Sequence, residues 1–354
     1  MRTSILDYVA GAYFYADQDG RSIVATAERT IWVVSHARTA SGWSFSHDRT
    51  WDLTSALPEG DQVESMQPDF AGRVWVTSKG GTVCTIDPET GTILGFSNEL
   101  RGLGEHIANG HCADEENGVS IVSTNALYRW DADAFGRPEI TWREVVGTGD
   151  RIKPGRVDLG SGSTPTAMGS DFVTIADNAD PYMHVLVFRR AKRVKGDRLT
   201  AKVPVFGPYR GCTESSLVAT DRSIVVENNY GYRSPLQDTT GGRTTTPGLT
   251  RIDIDENGRG RVVWTNTELI IPNATTKLSL PGGLLYCYAK PAGPETTDRW
   301  CFAAVDFRAG RTVWQQLAGT GILYDRKYMG MFLGKDGTLY GGVVGGVVAM
   351  RDAK

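Results

Sequence analysis

A chain of 354 residues with 40% hydrophobic and 22% charged residues and a mean hydropathy of -0.27 has the apolar content to bury a sizeable core, which excludes a disordered polypeptide. It is too long for one ordinary sandwich or α/β domain, so it either splits in two or repeats one unit in a larger closed architecture. The net charge of -3 and a pI near 6.0 supply no global positive field for phosphate backbones, so nucleic acid is not an expected partner.

A faint repeat runs from end to end. Its unit is a small or apolar strand, a Gly/Asp/Asn turn, a β-branched strand, a second turn, a third strand and an Asp-rich turn. The N-terminal copy begins at Tyr13 with YFYADQDGRSIVATAERTIWVV, and the sharpest covers residues 66–95, MQPDFAGRVWVTSKGGTVCTIDPETGTILG. There Asp69 to Gly72 form the first turn, Arg73 to Thr77 the second strand, Lys79 to Gly81 the next turn and Val83 to Ile86 the third strand. Further copies start near Ile107, Thr164, Glu214, Thr276 and Met329, the fifth with its third strand delayed to Leu249. Starts roughly 40 to 60 residues apart match the length of a four-stranded blade. Helical periodicity is almost absent, and a blade cannot bury both of its faces alone. The expectation is one all-β domain over residues 1–354, a β-propeller of about seven four-stranded blades around a central channel, with 233–248 as an exposed polar excursion from the fifth blade.

No stretch reaches the run of about 20 apolar residues that a membrane helix needs, and no signal-peptide pattern opens the chain. It reads as cytoplasmic, or secreted if a signal has been removed, with no membrane partner and no signature of an oligomeric state. The cluster Arg189, Arg190, Lys192, Arg193 and Lys195 reads as a solvated surface turn. The five cysteines, Cys84, Cys112, Cys212, Cys287 and Cys301, have no metal-ligand spacing and read as buried thiols, with Cys287 and Cys301 as the one conceivable hairpin pair.

Two copies end in TIDPETGTILG (residues 85–95) and AVDFRAGRTVW (residues 304–314). These resemble the blade-closing repeat of quinoprotein-like (PQQ-repeat) propellers, Ala-x-Asp-x-x-Thr-Gly-x-x-x-Trp, although Ala309 stands where Thr is usual. The resemblance implies a fold: Asp87 or Asp306 caps the turn, Gly91 or Gly310 takes its left-handed position, and Trp314 wedges between blades. Quinone chemistry in such dehydrogenases goes with vicinal cysteines and a ligated calcium, and this sequence has no adjacent cysteine pair.

In a propeller, the segment leading into a blade's first strand and the turn between its second and third strands share one face. That face gathers Glu64, His106, Asn109, His111, Thr164, Thr166, Thr213, Glu214, Thr275 to Lys277, Tyr328, Ser78, Lys79, Asn125 and Lys290. It also gathers the runs IADNADP, with Asp177, Asn178 and Asp180, and VVENNYGY, with Glu227, Asn228 and Asn229. Each run reads either as a turn bonded to its own backbone or as oxygen ligands for a hard cation. Asp177, Asn178, Glu214, Glu227 and Asn228 are the candidate ligands. Their types and placement are similar to the axial calcium of gluconolactonase and strictosidine-synthase-like propellers, without a continuous motif in common. His106 or His111 beside Glu64 would move protons, Lys277 and Lys290 would hold a carboxylate or an oxyanion, and Tyr328 would donate a proton or plug the channel. No nucleophile elbow, dinucleotide fingerprint, P-loop or zincin helix is present. The expected function is a propeller enzyme that hydrolyses or rearranges a small organic ligand with calcium or acid/base assistance. The alternatives are a non-catalytic binding propeller with Trp43, Trp51, Tyr182, Tyr230 and Tyr232 as an aromatic patch, and a quinone-dependent dehydrogenase.

Overall fold

The computed structural model describes residues 13–147, 149–238, 245–291 and 298–352, and these residues are all-β, with two single helical turns at Glu99–Gly102 and Pro235–Asp238. The chain divides into two compact units, Met1–Val146 and Gly147–Lys354.

Three antiparallel blades make the first unit. Blade 1 has strands Tyr15–Ala16, Ser22–Ala25, Thr30–Thr39 and Gly42–Asp52. Blade 2 has Val63–Pro68, Val74–Ser78, Val83–Ile86 and Ile93–Ser97, and blade 3 has Cys112–Ala113, Val119–Val122, Ala126–Ala132 and Pro138–Val145. Four blades make the second unit. Blade 4 has Thr166–Met168, Phe172–Ala176, Met183–Arg189 and Leu199–Val205, and blade 5 has Val218–Ala219, Ser223–Glu227, Leu249–Ile254 and Gly260–Asn266. Blades 6 and 7 depart from the expected four strands. In blade 6, Leu269–Ile270 and Lys277–Ser279 pair with the two ends of Leu284–Pro291, followed by Arg299–Asp306 and Thr312–Thr320. Blade 7 shows three strands among the described residues, Met331–Leu333, Leu339–Val343 and Gly346–Met350. Seven successive antiparallel sheets of this kind are the blades of a seven-bladed β-propeller.

The second strands VWVTS, VSIV, FVTIA and SIVVE are buried at every position. A strand rich in Val and Ile without alternation must be covered on both faces, and neighbouring blades provide the cover. The cores accordingly lie between blades: Ile23, Val33, Trp51, Met66, Val76 and Ile86 pack between blades 1 and 2. Met168, Val185, Val203, Ile224 and Ile252 do the same between blades 4 and 5. All five cysteines are free thiols; Cys112 is half-buried and the other four are buried. Cys287 lies opposite Ala303 and Cys301 opposite Ala289, so the two are not cross-strand partners.

Turn chemistry follows the sequence closely. Asp69 Oδ1 accepts from the N–H groups of Ala71 at 2.9 Å and Arg73 at 3.0 Å, while its Oδ2 takes Trp75 Nε1 at 2.9 Å. Asp17, Asp114, Asp133 and Asp255 hold equivalent turns. In the two closing turns, Asp87 caps Glu89 and Thr90, and Asp306 caps Arg308 and Ala309. Gly91 and Gly310 take φ of 74° and 71°. The wedge at these turns comes from the blade before. A Cβ on Gly91 would stand 2.6 Å from the Trp51 ring, one on Gly310 would stand 2.5 Å from Trp264, and Trp264 Nε1 donates to Phe307 O at 3.0 Å. Trp314, on the fourth strand of blade 6, lies half-buried against Tyr286 with ring centroids 6.3 Å apart and packs against a core that includes Met331 and Leu339 of blade 7. The tryptophan that meets a closing turn sits on the fourth strand of the preceding blade, not at the end of the motif itself.

Substituting these glycines separates backbone strain from the wedge. Gly20, with φ of 76° and only His36 at 3.9 Å, is the control. Gly20→Ala is expected to cost about 1–2 kcal/mol for the left-handed backbone alone. Gly91→Ala and Gly310→Ala are expected to cost a further ~1–3 kcal/mol for crowding the indole. Denaturant midpoints measure the difference, and equal losses at all three positions would remove the wedge from this account.

Candidate functional site

Backbone hydrogen bonds tie the segment leading into each blade to the turn between second and third strands. In the first unit Lys79 N donates to Gln62 O at 2.9 Å, Ile107 N to Lys79 O at 3.1 Å and Thr124 N to His106 O at 2.8 Å. In the second, Asn178 N donates to Gly147 O at 3.2 Å and Asn229 N to Cys212 O at 2.8 Å. Side-chain amides brace the same joints: Asn229 Oδ1 accepts from Glu214 N at 2.7 Å while its Nδ2 donates to Ile271 O at 3.0 Å.

The candidates in the first unit do not form a proton-transfer pair. His111 is buried and Ser65 Oγ lies 3.0 Å from its Nδ1; burial drives its pKa down to about 3, leaving a neutral core imidazole. His106 is exposed and Glu64 is half-buried with a partner of its own. The general-base role expected of His111 is therefore corrected: loss of water around the ring disfavours the imidazolium that the role requires.

Charged groups from three blades converge in the second unit. Glu227 ends the second strand of blade 5 and is 3% exposed. Thr276 N donates to its Oε2 at 3.2 Å, while Oε1 is buried with no hydrogen-bond partner. The Ser215 hydroxyl stands outside hydrogen-bonding geometry, yet it is close enough to favour the ionised carboxylate. Burial outweighs the Ser215, Thr276, Lys277 and Arg326 contributions and raises the Glu227 pKa to about 8. Lys277, half-buried at the start of a blade 6 strand, is pushed down by burial against the pull of Glu227. Arg326, fully buried ahead of blade 7, is lowered by burial to about 10, with Tyr288 and Glu227 opposing.

Around this core the other charges have partners, although Asp325 Oδ2 is buried without a hydrogen bond. Asp325 Oδ1 accepts from Asn273 Nδ2 at 2.8 Å, Lys327 N at 2.9 Å and Tyr232 Oη at 3.0 Å; burial nevertheless raises its pKa. Lys290 pairs with Asp298 and sits 4.0 Å from the Trp300 ring centroid, and burial lowers its pKa to about 8. Tyr328 meets Tyr232 edge-on with centroids 5.6 Å apart, and burial lifts its phenol well above the usual range.

The five candidate calcium ligands do not assemble into one donor set. Asp177 Oδ2 faces His184 Nδ1 at 2.8 Å, and Glu214 Oε2 faces Arg156 Nε at 3.0 Å. Asn178 Nδ2 donates to Leu159 O at 2.8 Å and Arg151 O at 3.1 Å; Asn228 Nδ2 donates to Arg210 O at 2.9 Å. Among the described residues no three His, Cys, Asp or Glu side chains gather in a way that could hold a metal ion. As placed, these residues do not fit calcium: the carboxylates of Asp177 and Glu214 face basic side chains and Asn228 Oδ1 accepts from the Cys212 and Tyr230 N–H groups, which leaves Asn178 Oδ1 as the amide oxygen not so engaged.

The structure thus brings together Glu227 and Lys277 of the residues singled out in the sequence and adds Arg326, while Tyr328 lies against Tyr232, which bonds Asp325 beside Asn273. Arg326, Asp325 and Asn273 were legible in principle, because YDRKY (residues 324–328) precedes blade 7 as IPNATTK (residues 271–277) precedes the Lys277 strand of blade 6. Of the expected aromatic patch, Trp51 and Tyr232 are 3% and 1% exposed and drop out, whereas Trp43 and Tyr182 are exposed and Tyr230 is half-buried. Of the 233–248 excursion, residues 239–244 lie outside the described residues. Its return is tied down by Thr246 N to Tyr230 O at 2.7 Å and Asn228 N to Gly248 O at 2.9 Å, with Thr245 buried. No helix among the described residues is long and apolar enough to cross a membrane.

No family model matches the chain. An uncharacterized protein of Archaeoglobus fulgidus is 27% identical over 329 residues, covering 84% of this chain and 63% of that protein, so the chain spans less than two thirds of its relative. Among solved structures, Saccharomyces cerevisiae Sqt1 is similar with a TM-score of 0.58 at 10% identity, covering 97% of this chain and 86% of that one. BamB from Moraxella catarrhalis gives 0.55 at 11% identity, with 95% of each chain covered. The β-propeller domain of Myceliophteria thermophila Cps50 (Swd1) gives 0.55 at 9% identity, with 97% of each covered. At these identities the likeness is one of fold alone: an all-β, seven-bladed β-propeller.

Proposed function

We propose that the chain carries out acid–base chemistry on a small organic substrate, with Glu227 as the group that holds and releases the proton. The observation that supports this most strongly is a carboxyl with one oxygen unpartnered, 3% exposed, protonated up to about pH 8 and set beside Lys277. Burial is how a carboxyl is kept ready to give a proton near neutral pH, and a neighbouring ammonium can stabilise negative charge as it develops on the substrate. Below about pH 8 Glu227 acts as an acid, and above it as a base. No step runs through calcium, because the carboxylates of Asp177 and Glu214 face basic side chains. The quinoprotein-like motifs serve here as blade-closing turns.

Two expectations test this reading. Folded Glu227 keeps its proton up to about pH 8, whereas the unfolded group releases it near 4.5, so its raised pKa favours the folded state most below pH 4.5 and progressively less up to pH 8. His111, depressed to about 3 from 6.5, changes stability only below about pH 6.5 and in the opposite sense, while Lys290, lowered from 10.5 to about 8, acts mainly above pH 8. Between pH 6.5 and 8 the wild type should therefore lose about 2 kcal/mol that Glu227→Gln does not lose. A slope shared by both proteins would mean that Glu227 titrates elsewhere. In a turnover screen of esters, lactones and other small carbonyl compounds, Glu227→Gln should lower kcat by about 10²–10⁴. Binding of such compounds with no turnover in the wild type would replace catalysis by the non-catalytic reading of the same pocket.

A further inference from the structure

We propose that the second unit binds a small organic carboxylate, its anionic group seated on Arg326 and Lys277 beside Glu227. This rests on the reading of that cluster as the ligand site and names the class of ligand.

Arg326 is fully buried, and its Nη2 donates to Met329 O, but Nε and Nη1 have no hydrogen-bond partner. No ion pair involves it among the described residues; the Tyr288 ring, with its centroid 5.5 Å from Cζ, covers one side. Lys277 likewise makes no hydrogen bond or ion pair among the described residues. A guanidinium taken out of water is costly unless its donors meet acceptors, and an anion is the acceptor that repays most of that cost.

The nearby acids do not fill the role. Asp325 takes Tyr232, Asn273 and the Lys327 N–H on Oδ1 and, although its Oδ2 has no hydrogen-bond partner, forms no ion pair with Arg326; Asp298 pairs with Lys290. Glu227 is the one carboxyl whose charge is felt by both Arg326 and Lys277, and it forms an ion pair with neither. Arg326 and Lys277 carry positive charge in a buried place whether or not Glu227 keeps its proton, and an anion offsets it. The planar guanidinium matches a planar carboxylate, and the Glu227 hydroxyl, when protonated, adds a donor for its second oxygen.

The test is calorimetric titration of the intact protein with acetate, lactate and malonate, using methyl lactate and inorganic phosphate as controls. Saturable binding of a carboxylate is expected, with no binding of the ester and at least tenfold weaker binding in Lys277→Met. Arg326→Lys should weaken it as well. Should that buried variant fail to fold, Lys277→Met, altered at a half-buried position, carries the test alone. Absence of carboxylate binding, equal binding of ester or phosphate, or unchanged affinity in Lys277→Met would overturn the inference. If carboxylates fail to bind while Glu227→Gln still removes the stability slope between pH 6.5 and 8, the ligand class falls and the acid–base reading stands. If the slope is absent from the wild type, that reading falls whatever binds.

Discussion

The fully buried second strands of blades 2 to 5 are the constraint from which the remaining features follow. Strands such as VWVTS, FVTIA and SIVVE expose no position to water, so none can exist without a sheet on either side. Stacking blades to satisfy them places the lead-in segment and the second-to-third-strand turn of each blade at the same end, where backbone bonds such as Asn229 N to Cys212 O fix them. Glu227 is the last residue of one of these strands. Its burial is therefore a consequence of the fold's packing rule, and the rise of its pKa follows from that burial.

The second unit concentrates the cost of this arrangement. Glu227, Lys277, Lys290, Asp325 and Arg326 are all drawn away from solvent, and their pKa values move in the direction burial dictates: acids up, bases down. The first unit handles its buried charge differently. Glu105 there accepts from Tyr128 at 2.7 Å, from Arg143 at 2.9 Å and from Ser123, and its pKa is lowered in spite of burial. Arg129 is likewise surrounded by Asp114, Asp131 and Glu116. Fully partnered networks of that kind read as structural. The contrast with the unpartnered atoms of Glu227 and Arg326 is what marks the second unit as the place for a ligand.

Local features were legible in the sequence because short-range chemistry sets them. Asp69 to Gly72 reads as a turn, and the structure shows the Asx hydrogen bonds and the positive φ that make it one. Blade succession followed from the same turns. What the sequence hid depends on contacts between distant segments. Trp264 meets Gly310 across 46 positions, a contact that no local motif announces. The histidines looked poised for proton transfer because residue type was all that could be read, and burial of His111 removed that role. Asp177 and Glu214 looked like free ligands until His184 and Arg156 were seen facing them. Arg326 passed unremarked in a run of charges, because nothing local distinguishes a buried guanidinium from a solvated one.

The most direct measurement is a titration of the Glu227 carboxyl itself, followed by infrared difference spectroscopy with Glu227→Gln as the reference. A carbonyl band of a protonated carboxyl that persists through pH 7, fades near pH 8 and is missing from Glu227→Gln is the predicted result. A carboxylate already ionised at pH 6 would contradict the account, because the site would then hold an ordinary ion pair and no group ready to deliver a proton.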